Sequence, residues 1–202
     1  STIAKIILRL WKETSGTINL NGKNIRTVSD LSKEIQLVFQ DPFSSLNPKH
    51  SIGEAISEVF QVSEANLKST EIKQKTVELI ETVGLSKSDF DKYPHEFSGG
   101  QRQRICIAKA LAKKPKFIVL DEAVSALDVS IQAKILNLLN QLKIQNGLTY
   151  LLISHDMNVV SYFCNKLVVL KNGKIIESGD SEKLITNPKS DYTKSLLESS
   201  IN

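Results

Sequence analysis

Apolar positions follow two alternating patterns along this chain. Ile35 to Phe39, Phe117 to Leu120 and Leu148 to Ile153 are short, nearly continuous apolar runs, the mark of strands covered on both faces. Between them apolar residues recur every three or four positions. Ile72, Thr76, Ile80 and Val83 form one such stripe, and Ile131, Ile135, Leu138, Leu139 and Leu142 form another. The spacing predicts helices over Ser51 to Val62, Glu71 to Leu85, Gln101 to Lys114 and Ser130 to Asn146, a further one from Met157, and an opening helix over Ile3 to Trp11. Gly84 and Asn146-Gly147 stand where C-terminal caps belong.

Two segments read as hairpins. Gly16 to Ile25 alternates around Asn21-Gly22, and Lys166 to Leu170 pairs with Lys174 to Glu177 across Lys171-Asn172-Gly173. Asp41 to Ser51 carries Pro42 and Pro48 among turn formers and is expected to be an irregular, movable loop. Strands alternating with helices predict an α/β fold, a mostly parallel sheet with helices on both sides.

Composition changes this picture little. The 202 residues, 41% hydrophobic and 24% charged, suffice for one core with a subdomain. A net charge of +4 arises from 26 basic and 22 acidic residues, and with no basic stripe interleaved with aromatics a nucleic-acid partner is not expected. No apolar run nears the roughly 20 residues that cross a bilayer, and no signal-peptide pattern opens the chain. Cys106 and Cys164 read as buried thiols of a cytosolic protein rather than a disulfide, and neither they nor His50, His95 and His155 have metal-site spacing.

The chemistry concentrates in two places. Phe97-Ser98-Gly99-Gly100-Gln101 precedes the helix over Gln101 to Lys114: two glycines let backbone approach a ligand, and the first helical N–H groups offer an anion site. Alone, Ser-Gly-Gly equally starts a helix with a turn. The strand Phe117 to Leu120 ends in Asp121 and Glu122, where a parallel sheet presents its carboxyl edge. Successive strand side chains diverge, so one carboxylate suits a metal ion and the next a water. Alone, that pair is also a strand exit with solvated acids.

Together the two motifs resemble the signature and Walker B motifs of ABC transporter ATPases, and further landmarks follow in the family's order. Gln40 resembles the Q-loop glutamine, Ser125-Ala126-Leu127-Asp128 the D-loop, and Ser154-His155-Asp156 the switch-histidine loop. Ser1-Thr2 resembles the end of a Walker A motif whose glycines and lysine are lacking. The expectation is a chain missing roughly 30 to 40 residues at its start, with an incomplete N-terminal β-subdomain and little ATP hydrolysis by itself.

The resemblance implies a P-loop NTPase, RecA-like core. Residues 1–50 form part of that core with the Q-loop, 51–114 a helical subdomain ending in the signature and its helix, 115–178 core with Walker B, D-loop and switch histidine, and 179–202 a helical tail. It implies ATP and Mg²⁺ as ligands. Glu122 is the implied general base and His155 the second catalytic residue. Ser1, Thr2, Gln40, Ser98, Gly99, Gly100, Gln101, Asp121 and Asp128 lie on the nucleotide, with Ser1, Gln40 and Asp121 toward the metal. ATP would sit between two ATPase subunits, each giving its signature turn to the other's site.

Val38 to Pro48, Asp121 to Ala133 and Asn187 to Ser199 are similar to the dipeptide, oligopeptide and nickel importer ATPases. Phe97 replaces the commoner leucine and Ala123 the usual proline; Ala123, Cys106 and Cys164 lean toward the nickel importers. The implied setting is the cytoplasmic face of the membrane, beside a second, different ATPase subunit, two permease subunits and, indirectly, an extracytoplasmic substrate-binding protein. A non-catalytic adaptor paired with an active ATPase, and a soluble ABC ATPase acting on nucleic acid or ribosomes, are the alternatives.

Overall fold

The computed structural model describes residues 1–64 and 66–199, so the last three residues of the expected tail lie outside the described residues. The chain divides into two compact units, Ser1–Ile153 and the residues from Ser154 onward.

In the first unit, helix α1 (Thr2–Ile7) is followed by the strands β1 (Asn19–Leu20) and β2 (Lys23–Asn24). Helix α1 is shorter than its apolar pattern predicts. Arg9 takes a left-handed backbone, the Leu10 N–H returns to the Lys5 carbonyl at 2.8 Å, and the Trp11 ring turns under the Lys5 ammonium, 4.5 Å from its centroid. The expected hairpin is present. Asn21 and Gly22 both have positive φ, as a two-residue primed turn demands.

Next come α2 (Leu31–Glu34), β3 (Ile35–Phe39) and α3 (Pro42–Ser45). Helix α3 corrects the expectation of an irregular loop. Pro42 occupies the first helical position, where its missing N–H costs nothing, and the Asp41 carboxylate accepts from the Phe43 N–H at 2.9 Å.

Helices α4 (Ile52–Ser63), α5 (Ser69–Thr82) and α6 (Gly99–Leu111) pack on one another. Ser51 and Glu54 close a capping box at the start of α4, and the Ser57 and Thr76 hydroxyls pair at 3.0 Å inside the α4–α5 contact. The predicted stripe Ile72, Thr76, Ile80 and Val83 is buried, and Gly84 takes the left-handed conformation after α5.

Strand β4 (Phe117–Asp121), helix α7 (Val129–Asn146) and strand β5 (Thr149–Ile153) complete the unit. The sheet is parallel in the order β3-β4-β5, and its register aligns Phe39, Asp121 and Ile153. Ile118, Val119 and Leu120 are fully buried, as a central parallel strand requires.

The second unit holds α8 (Met157–Phe163), the antiparallel pair β6 (Lys166–Lys171) and β7 (Lys174–Asp180), α9 (Ser181–Thr186) and α10 (Asp191–Ser199). Asn172 and Gly173 make its tight turn, again with positive φ. The Glu177 carboxylate accepts from the Lys189 and Ser190 N–H groups at 3.0 and 3.1 Å, tying the chain before α10 to β7.

Candidate functional site

The parallel register decides which residues meet. Because Phe39 and Asp121 are aligned across β3 and β4, Gln40 and Glu122 leave neighbouring strands at one carboxyl edge, where ligands of open α/β sheets bind. Gln40 is exposed there, and Asp121 is buried with only 8% of its surface accessible. The main-chain nitrogen of Ser1 contacts the Asp121 carboxylate, so residues 120 positions apart are brought together. The Ser1 hydroxyl accepts from the Ala4 N–H at 3.4 Å as the cap of α1, and Thr2 is the exposed first residue of that helix.

Glu122 is set by the strand's end. Its φ of +51° is left-handed, a region that non-glycine residues rarely occupy. Its N–H donates to the Ile153 carbonyl at 2.9 Å, and its carbonyl accepts the Ser125 hydroxyl at 2.9 Å and the Ser125 N–H at 3.1 Å. The same hydroxyl lies 3.4 Å from the Glu122 carboxylate. Asp128 caps α7, accepting from the Ile131 N–H at 2.9 Å.

The signature turn is built as a helix start. Ser98 caps α6: its hydroxyl accepts from the Gln101 N–H at 3.3 Å, and the Gln101 side chain accepts from the Ser98 N–H at 2.9 Å. The two glycines have different reasons. A Cβ on Gly99 would meet Leu127 at an ordinary 3.5 Å, whereas one on Gly100 would collide with Ile131 of α7. Gly100 is therefore demanded by packing, while Gly99 is exposed at the end whose first N–H groups have no intrahelical acceptor.

His155 is exposed and lies in the second unit, between Ser154, whose hydroxyl accepts from the Asp156 N–H at 3.0 Å, and Asp156, which caps α8 through the Asn158 and Val159 N–H groups. Cys106 is a buried thiol that desolvation pushes up to about 12; Cys164 is outside any disulfide among the described residues but only half-buried, a partial correction of the expectation.

Sequence reasoning missed Arg102 and Gln103. Gln103 donates to the Phe39 carbonyl at 3.3 Å, immediately before Gln40, and the Arg102 guanidinium lies 3.8 Å from the centroid of the Phe43 ring. The signal was readable for Gln103. It sits on the α6 stripe of Gly100, Ile107 and Leu111, a buried polar residue among small and apolar ones.

The oxygen donors at the sheet edge are a hydroxyl, a carboxamide and one buried carboxylate, a hard set that suits Mg²⁺ held jointly with phosphate oxygens. Among the described residues no three His, Cys, Asp or Glu gather as a metal cluster. No helix among them is long and apolar enough to cross a membrane.

A protein-family profile described as ABC transporter matches residues 1–125. The oligopeptide transport ATP-binding protein OppF of Bacillus subtilis is 44% identical over 98% of this chain and 67% of its own. Among solved structures, cbiO1 from Clostridium perfringens, part of the ABC transporter complex cbiONQ, superposes with a TM-score of 0.82 at 28% identity, covering 92% of this chain and 74% of that one. The ATP-binding cassette MJ0796, a dimer in a post-hydrolysis state bound to ADP and Pi, gives 0.76 at 28% identity over 89% and 79%. The chain spans about two thirds or less of the length of the first curated relatives it matches.

Proposed function

The chain belongs to the ABC transporter family, and from that premise we propose that it is the ATP-binding, ATP-hydrolysing subunit of an importer of peptides. The observation that carries the reading is the shared register of β3 and β4, which delivers Gln40 and Glu122 to one edge.

At that edge Glu122 accepts the proton of an attacking water and Gln40 orients that water. Ser1, Gln40 and Asp121 would hold Mg²⁺, which when bound neutralises charge on the phosphates. Thr2 lies on the nucleotide beside Ser1, and Asp128 and Gln101 lie on the nucleotide side of their helix starts. The Ser98 hydroxyl and the first N–H groups of α6 bind the γ-phosphate held by a second ATPase subunit, and His155 hydrogen-bonds a γ-phosphate. Both catalysts act by position and charge. Cleavage removes an anion bonded from both subunits, at roughly 1.5 to 3 kcal/mol for each charge-assisted bond, and the pair opens.

The partners in this reading are a different second ATPase and two permease subunits. Through the permeases the protein sits at the cytoplasmic membrane face, with an extracytoplasmic binding protein acting only through them. Peptide is favoured over nickel as cargo by the name of the Bacillus relative. Two of the three residues that lean toward nickel serve packing: Ala123 is 2% exposed, and the Cys106 thiol lies 3.9 Å from the Pro42 carbonyl. Vesicles holding the permeases, the companion ATPase and this protein test the proposal. Oligopeptide uptake that requires ATP is expected, and ATP turnover indifferent to peptide delivery overturns it.

A further inference from the structure

We propose that Arg102 and Gln103 are positioning residues which lock the strand exit before Gln40 to the signature turn, so that the two shift as one body. The proposal rests on the reading that Gln40 works at the nucleotide.

Four side chains on one side of α6 reach the segment from Phe39 to Ser45. Gln103 donates to the Phe39 carbonyl at 3.3 Å, the Arg102 guanidinium stacks on Phe43, the Cys106 thiol approaches the Pro42 carbonyl at 3.9 Å, and the Lys109 ammonium donates to the Ser45 carbonyl at 3.3 Å. Phe39, Gln40 and Phe43 are themselves exposed, so burial of their own side chains does little to fix this stretch. Beyond the pairing of Phe39 with Asp121 in β4, its place is set from α6.

Arg102 also faces the other way. Its Nε donates to the Pro94 carbonyl at 2.7 Å and its Nη2 to the His95 carbonyl at 3.4 Å, in the turn that delivers Phe97 and Ser98. One guanidinium thus spans the signature approach and the Phe43 ring. The planar fork and flat cationic face of arginine permit both contacts at once, which a lysine point charge cannot reproduce.

Gln103 supplies the second half of the clasp. It is 1% exposed, and a carboxamide buried among apolar neighbours is costly unless hydrogen-bonded. Methionine would fill the same volume without that cost. The carboxamide is accounted for by the carbonyl it holds, the one directly preceding Gln40.

Hydrogen exchange on Arg102→Ala and Gln103→Met tests the clasp. In Arg102→Ala, amides in 40–46 and in 95–98 should exchange about tenfold faster together, the loss expected for one or two hydrogen bonds, while 117–121 and 149–153 keep their rates. Gln103→Met should raise 40–46 by a similar factor. A response in only one of the two segments, or an equal rise in every strand, overturns the proposal. Should Gln103→Met fail to fold, the Gln103 side-chain amide of the unaltered protein decides: protection is expected, and exchange as fast as that of exposed Gln61 overturns it. In the assembled importer, Arg102→Ala should lower kcat with nucleotide affinity kept. If the unaltered importer hydrolyses no ATP, the role of Gln40 falls while the exchange result still judges the clasp.

Discussion

The Ser125 hydroxyl bonds the Glu122 carbonyl at 2.9 Å and so holds Glu122 in a left-handed backbone, with its N–H on the Ile153 carbonyl. On the proposed function, that backbone would set the direction of the carboxylate before ligand arrives. Glu122→Gln keeps this backbone and removes the proton acceptor, so turnover should fall by about 10² to 10⁴ while ATP affinity stays within about twofold. Equal losses of turnover and affinity, measured by single-turnover kinetics beside equilibrium binding, contradict the role.

Ser125→Ala removes one hold on that backbone and leaves the carboxylate in place. Turnover should fall by roughly three- to thirtyfold, the equivalent of one hydrogen bond, with KM for ATP unchanged. A change confined to KM would show that Ser125 serves binding instead.

The signature glycines should separate cleanly. Gly100→Ala drives a methyl into Ile131 and should cost about 1 to 3 kcal/mol, a fall in melting temperature of roughly 2 to 10 °C for a chain of this size. Gly99→Ala meets Leu127 at ordinary contact distance and should melt within about 2 °C of the parent. Calorimetry of both variants checks this, and equal melting temperatures would show that α6 and α7 do not press together at Gly100.

Much of the fold was written locally. The strands Ile35–Phe39, Phe117–Asp121 and Thr149–Ile153 end within a residue of their apolar runs, but only β4 is buried on both faces as such a run implies; β3 is partly buried, and β5 holds no fully buried residue, which corrects the expectation for it. The stripe of α5 was legible locally too. Two errors came from reading residues without their positions: Pro42 starts α3 rather than breaking it, and Arg9 ends α1 inside an apolar stretch. At the candidate site, Gln40, Asp121 and Glu122 could be set at one edge because a parallel register carries strand ends together. The reach of Gln103 to Phe39 depends on a partner 64 positions away, and the left-handed Glu122 is held by Ile153 of β5 as well as by nearby Ser125, so local pattern alone does not encode either.

Cys106 provides a chemical check on packing. Burial raises its thiol to about 12, so at pH 8 the reactive thiolate is scarce, and reagent must also reach it. Iodoacetamide should therefore modify half-buried Cys164 well before Cys106 in the folded protein, and both alike in denaturant. Peptide mapping after timed alkylation reads the order, and early modification of Cys106 would show that the α3–α6 contact opens freely.

Glu177 should make the attachment of α10 acid-sensitive. The Lys189 N–H is the main cause, and the Ser190 N–H adds to it, holding the Glu177 carboxyl below its ordinary value of 4.5. A carboxylate depressed on folding contributes stability that is fully present above its unfolded value and is lost as pH falls through its folded value. The attachment should accordingly hold at neutral pH and weaken as pH falls below 4.5. Tyr192 reports it, because the Lys171 ammonium lies 4.3 Å from its ring centroid while α10 is docked against β7. Tyr192 ring resonances followed by NMR should move with the Lys189 and Ser190 amides in one acid transition, which Glu177→Gln should abolish by leaving a weaker, pH-independent contact. A transition unchanged in that variant would assign the acid sensitivity to another carboxylate.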